Sequence, residues 1–274
     1  MTRRGRWPCG ALVAALAFGA GGGIGVAAGQ ERKDAPAIAD NSFLLEEAYN
    51  QEPGVVQHIS AFLRPRGAGT WVYAFTQEWP LFGQTSQLSF TVPVERAGRT
   101  GLRDIAVNYR YQLAGTETRV SVAPRLSVLL PTGDEAKGLG TGAAGLQVNL
   151  PVSVTLAPRV VTHWNAGATL TPDANSPLGD EATTTEYNLG ASVIWLARST
   201  FNVLVEVVWS RGETVTGPGA TARAEALFVN PGVRWAHNFP SGLQIVPGIA
   251  FPIGVGQSRG EDALFLYLSF EHPF

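Results

Sequence analysis

The sequence predicts an all-β fold: a membrane-spanning, antiparallel up-and-down β-barrel of about twelve strands, preceded by a short N-terminal helix. Three observations predict it. Long segments alternate apolar and polar residues with a period of two. The connections between them alternate between long and short. Aromatic residues gather near both ends of the apolar faces. The composition agrees. Only 15% of the chain is charged, against about a quarter in a soluble domain, while 32 Gly and 18 Pro suit many turns and few helices.

The elements follow in order. Residues 1–29 read as a signal peptide that is removed. Met1–Arg6 carries Arg3, Arg4 and Arg6, and Ala11–Phe18 is an apolar run too short to span a bilayer. Ala27, Ala28 and Gly29 then offer a cleavage site. Arg3-Arg4 is a poor twin-arginine signal, because that route carries folded cargo and a barrel must cross the inner membrane unfolded. Cys9, the sole cysteine, leaves with this segment, so the mature chain has no disulfide or thiol chemistry. Arg6-Trp7-Pro8 before it excludes a lipoprotein site. Beyond Gln30 no apolar run is long enough for a transmembrane helix. A closed barrel is then the remaining way to span a membrane.

Residues 30–55 form an N-terminal segment. Glu31–Asp40 is polar. Asn41–Gln51 predicts the helix, with Asp40 or Asn41 as N-cap, Glu46 and Glu47 in its early turns and Pro53-Gly54 as its stop. It has two readings. It plugs the lumen, with Phe43, Leu44 and Tyr49 docked inside and Glu46 and Glu47 meeting lumen arginines. Otherwise it rests on the barrel base.

Residues 56–274 form the barrel. The strands are Val56–Leu63, Thr70–Leu81, Ser86–Glu95, Leu102–Leu113, Glu117–Leu130, Ala143–Leu156, Arg159–Leu170, Thr185–Ala197, Thr200–Ser210, Ala224–Ala236, Gly242–Ile253 and Asp262–Phe274. The first alternates poorly. The sixth shows the pattern well: Leu146, Val148, Leu150, Val152 and Val154 alternate with Gln147, Asn149, Pro151, Ser153 and Thr155. Strands of about ten residues suit a tilted crossing of the hydrocarbon. The connections Arg64–Gly69, Arg96–Gly101, Pro131–Gly142, Thr171–Thr184, Arg211–Arg223 and Gly254–Glu261 are longer than Phe82–Thr85, Ala114–Thr116, Ala157–Pro158, Arg198–Ser199 and His237–Ser241. Long outer loops and short periplasmic turns are expected of such barrels.

Charge and aromatics follow the same register. Glu78, Asp104, Arg110, Arg119, Arg125, Arg159, Glu186, Glu206, Arg234 and Glu271 fall opposite the apolar face. Arg103, Glu225 and Asp262 lie at strand ends. Trp71, Tyr187, Trp209 and Phe251 mark the outer belt. Trp79, Tyr111, Trp195, Phe201, Trp235, Phe270 and Phe274 mark the periplasmic belt, and Trp164 falls between. An alternating last strand closing on Phe274 resembles the signal read by the barrel-assembly machinery.

Several segments carry a family resemblance. Asn41–His58, Phe75–Pro80, Gly101–Leu113, Pro124–Gly133, Gly145–Ser153 and Thr162–Thr171 resemble the outer-membrane family labelled "MetA-pathway of phenol degradation", often described as transporters. The resemblance runs from about Asn41 to the C terminus. It implies a barrel that passes small, often aromatic or hydrophobic, molecules, and it carries over no catalytic residue.

The candidate lumen residues are Glu78, Asp104, Asn108, Arg110, Arg119, Arg125, Asn149, Arg159, His163, Asn165, Glu186, Glu206 and Arg234. They have two readings: a transverse field that orients polar or anionic solutes, or a filled interior of Arg–carboxylate pairs and Asn hydrogen bonds. Small eight-stranded barrels are filled and sixteen-stranded ones open, so a twelve-stranded ring admits both. His163 with Ser127 or Ser153 is the weak hydrolase alternative, without a nucleophile elbow. The four His show no metal spacing, Thr132–Gly142 is a poor phosphate cradle, and no cofactor is expected. A net charge of −2 gives no support to nucleic-acid binding. The expectation is therefore a non-enzymatic, passive outer-membrane channel exported through its signal peptide. Its partners would be membrane lipid, lipopolysaccharide, the assembly machinery and a small solute. The alternative is a barrel with a structural or interaction role.

Overall fold

A computed structural model describes residues 38, 42–115 and 118–274. The signal-peptide reading, the polar stretch before Ile38 and the first residue of the expected fifth strand lie outside those residues.

The chain forms a closed antiparallel barrel of twelve strands. In order they are β1 (Val55–Pro65), β2 (Trp71–Leu81), β3 (Ser86–Ala97), β4 (Arg99–Leu102 and Ile105–Tyr111), β5 (Val120–Val122 and Arg125–Leu130), β6 (Gly145–Ala157), β7 (Val160–Asn175), β8 (Glu181–Arg198), β9 (Phe201–Gly217), β10 (Ala220–Trp235), β11 (Gln244–Ala250 and Ile253–Gly254) and β12 (Ala263–Pro273). Each strand pairs with its sequence neighbour, and a short rung at His237–Asn238 pairs with β11. Closure runs from Val55 opposite Pro273 to Pro65 opposite Ala263, so the ring has no free edge. Two of the breaks fall at proline. Pro124 divides β5 and Pro252 divides β11, where the missing N–H interrupts the ladder.

The expected strands are present, with two differences. Strands β7 to β10 run on past their apolar stretches, so Thr171–Thr184 and Arg211–Arg223 are largely paired hairpin and not loop. In water a paired polar hairpin satisfies its backbone as well as a loop does, so hydropathy alone does not end it. The second difference is the N-terminal helix, which is not formed. Residues 42–51 run as a chain of bends, and among the described residues the only helical turns are Gly83–Thr85, Glu135–Lys137 and Gly256–Ser258.

The wall has an apolar outer face and a divided interior. Leu126, Val128, Val148, Leu150, Leu189, Val193, Val205 and Val207 are exposed across neighbouring strands. A continuous apolar belt of that kind needs hydrocarbon as its solvent. Tyr187 and Phe251 border it on the outer side, and Tyr111, Trp195, Trp235 and Phe274 on the other. Inside, one half holds an apolar cluster: Ile59, Leu63, Val72, Ile194, Leu204, Val246, Phe265 and Tyr267 are buried together, with Glu206, Asn230 and Arg234 buried on strands of the same side. The facing half, on β3 to β7, is polar, with Ser89, Asn108, Arg110, Arg125, Gln147, Asn149 and Asn165. The poor alternation of β1 follows from this division. It places Gln57, Ile59, Ala61 and Leu63 inward while His58, Ser60, Phe62 and Arg64 face outward, so each face mixes polar and apolar residues.

Candidate functional site: the lumen and the strap across it

The N-terminal segment lies inside the ring as a strap. Ile38 donates its N–H to the Ser199 carbonyl at the β8–β9 turn (3.2 Å). From there residues 42–51 cross the lumen, all of them buried, and rejoin the wall at β1. The strap has no helix because the wall supplies its hydrogen-bond partners. Glu206 Oε1 accepts from the N–H groups of Phe43, Leu44 and Leu45 (2.9, 2.9 and 3.2 Å), and Asn230 donates to the other carboxylate oxygen (2.6 Å). The Glu46 N–H goes to Asn165 Oδ1 and that of Ala48 to Ser153 Oγ (2.9 and 2.8 Å). The N–H groups of Asn50 and Gln51 go to Gln112 and Gln87 (2.9 and 2.7 Å). Partners from four strands and from Gln112, just past β4, leave few backbone donors for an i→i−4 ladder, and buried donors must be satisfied by some route.

The strap matches the division of the interior. Phe43, Leu44 and Leu45 join the apolar cluster. The Phe43 ring lies 5.4 Å from that of Phe265 and 5.6 Å from that of Tyr267, centroid to centroid. It fits because Gly232 and Gly248 carry no side chain there; a Cβ at either would come within 2.6 Å of the ring. Leu45 likewise lies over Gly190, where a Cβ would meet its Cδ2 at 2.3 Å.

Glu46 belongs to the polar half. Arg110 on β4 and Arg125 on β5 stand directly opposite in the ladder. Like charges opposed on neighbouring strands repel. The Glu46 carboxylate answers both, at 2.8 Å from Arg125 Nη2 and 4.0 Å from Arg110 Nη1, and it accepts from Asn149 Nδ2 at 2.9 Å. Arg125 also donates to Asn108, Ser127 and Gln147 (2.7, 2.8 and 2.8 Å). Arg110 donates to Asn50 Oδ1, Gln87 Oε1 and the carbonyls of Glu47 and Tyr49. The Tyr49 ring meets His163 edge-on at 6.4 Å.

Of the residues expected in the lumen, Glu78, Asn108, Arg110, Arg125, Asn149, His163, Asn165, Glu206 and Arg234 are buried there, and Glu186 is half-buried on the inner face. Three are placed elsewhere. Arg119 is exposed at the short-turn rim of the barrel and donates to the Thr155 and Leu156 carbonyls (2.9 and 3.0 Å). Arg159 is exposed in the β6–β7 turn. Both lie beyond a strand end, where alternation no longer sets a face, and a register shift between Thr155 and Ala157 adds to this at Arg159. Asp104 interrupts β4 and anchors the long β5–β6 loop, accepting from Gly133 N (3.0 Å), Thr141 N (2.8 Å) and Thr141 Oγ1 (2.9 Å).

Sequence reasoning did not single out Asn50, Gln51, Gln87 and Gln112, which tie the end of the strap to the wall. The wall glutamines occupy polar positions of their strands, which shows their direction but not their partner. The Ser153–His163 pair is real, with Oγ 2.7 Å from Nδ1, yet Ser153 also receives the Ala48 N–H beneath the strap. Among the described residues no group of three or more His, Cys, Asp or Glu is arranged to hold a metal ion.

The fold and this interior define the class: a closed transmembrane-type β-barrel with an occupied lumen. No protein-family model matches the chain, and no curated protein does. Among solved structures it is similar to an outer membrane channel from Pseudomonas putida F1, with a TM-score of 0.64 and 12% identity over 83% of this chain and 98% of that one. It is also similar to the NanC porin, with a TM-score of 0.54 and 8% identity over 79% of this chain and 100% of that one. At those identities the likeness is one of fold.

Proposed function

We propose that this chain is an outer-membrane channel for the passive passage of small organic molecules, closed at rest by its own N-terminal strap. The observation that carries the reading is the way the lumen is filled. The wall side chains leave room for a chain segment to cross between them, since residues 42–51 lie buried there. That segment is held to the wall by hydrogen bonds that water can replace. A barrel built only for support would gain more from an interior filled by its wall.

The likeness to outer-membrane barrels and the apolar belt support a place in the Gram-negative outer membrane, in contact with phospholipid and lipopolysaccharide. Export through residues 1–29 and recognition of the strand ending at Phe274 by the assembly machinery belong to the same reading. So does a division into leader, strap segment and barrel. Membership of the phenol-degradation family rests on the sequence resemblance alone, together with the aromatic solutes it implies. The reading is not enzymatic, since the Ser153–His163 pair acts as a tie for the strap. Planar-bilayer recording of the purified chain tests the proposal. Brief openings that lengthen when Glu206 is replaced by Ala are expected. A silent membrane for both proteins would leave the structural or interaction barrel.

A further inference from the structure

Arg110 and Arg125 form a charged pair that a carboxylate of the strap meets. They stand opposite one another, both buried, and the carboxylate that answers them belongs to the strap. That answer is incomplete. Among the described residues Glu46 Oε2 accepts no hydrogen bond and Arg125 Nε donates none, although both atoms are buried. A guanidinium and a carboxylate normally satisfy each other through two parallel hydrogen bonds. Here the backbone ties at Glu46 N–H and its carbonyl, both to Asn165, hold the carboxylate away from that geometry. Three residues earlier, Phe43 fills a flat slot bounded by Gly232, Gly248, Phe265 and Tyr267.

From this we infer that the lumen holds a binding site for organic acids with a flat apolar body, and that the strap occupies it in their absence. The carboxylate of the solute takes the place of the Glu46 carboxylate between Arg125, Arg110 and Asn149. Free of the backbone ties, it makes both bonds to the Arg125 fork. The apolar body takes the side of the lumen now filled by Phe43 and Leu45. The inference rests on the channel reading in one respect only, that a solute reaches the lumen.

The test uses the full-length chain in lipid nanodiscs, titrated calorimetrically with phenylbutyrate and with its uncharged amide. In E46Q the competing carboxylate is gone, and the acid is expected to bind about tenfold or more tightly than in the wild type, as for any site freed of a resident occupant. The amide should bind weakly to both. Adding Arg125→Gln to E46Q should abolish the gain. A second arm uses the wild type, so that a folding defect in E46Q cannot mask the answer: the acid, and not the amide, should speed hydrogen exchange at the Glu46 and Ala48 amides. Equal binding of acid and amide by E46Q, or strap exchange that ignores the acid, overturns the inference. Solute flux without preference for the acid also overturns it while leaving the channel. Acid-selective binding without flux keeps the site and removes the channel.

Discussion

At the scale of single residues, the strap is held by a few atoms whose loss has separate consequences. Glu206 is the strongest tie, because one carboxylate serves three consecutive N–H groups. A hydrogen bond to a charged group contributes about 1.5–3 kcal/mol. Glu206→Ala should therefore speed amide exchange at Phe43, Leu44 and Leu45 by at least roughly tenfold while far-UV circular dichroism stays β-type; slow exchange in the variant would count against the tie. A smaller prediction concerns Phe82, which is almost fully exposed at a left-handed φ of 53° before Gly83. A bulky residue there costs about 1 kcal/mol relative to one that tolerates the region, and Asn-Gly is the favoured pair in such a turn. Phe82→Asn should raise folding stability in vesicles by about that amount. Burial itself was readable at Arg110 and Arg125, since both lie on the polar side of a long alternation. Their opposition across one rung was not readable, because register between strands depends on turns and breaks such as Pro124.

At the scale of elements, strands were legible wherever one face met lipid and the other met polar groups. They were least legible at β1, where each face mixes polar and apolar residues, and at the tips of β7 to β10, where both faces are polar. Periodicity reports a difference between two surroundings, and it disappears when the surroundings match. The strap shows a further limit. Asn41–Gln51 carries acceptable helix signals, but the lumen offers side-chain acceptors from Glu206, Asn165, Ser153, Gln112 and Gln87, and these override propensity. The strap should then respond to bulk placed beneath it. In Gly190→Ala the atoms nearest the new Cβ all belong to Leu45 of the strap, so the wall should assemble while the strap is displaced. Protease digestion of the refolded protein should cut within residues 42–51 in the variant and spare them in the wild type.

At the scale of the whole molecule, the two solvents of the barrel set its economy. The outer belt requires hydrocarbon, and a charge placed there should show its cost. Leu150 faces outward near the middle of β6 and is half exposed. Leu150→Arg should destabilise folding into vesicles by about 2–4 kcal/mol. A variant as stable as the wild type would mean that this face is not in lipid. Closure, in turn, makes the interior a compartment, and in the proposed function the strap determines whether that compartment conducts. The most direct test is flux of a small organic solute into proteoliposomes containing the wild type, Gly190→Ala, or Gly190→Ala with Leu45→Ala. Faster entry in the single variant, returning towards the wild-type rate when Leu45 is trimmed to restore the fit, is the predicted result. Entry no faster than in protein-free liposomes for all three chains would contradict the account of a strap-closed channel.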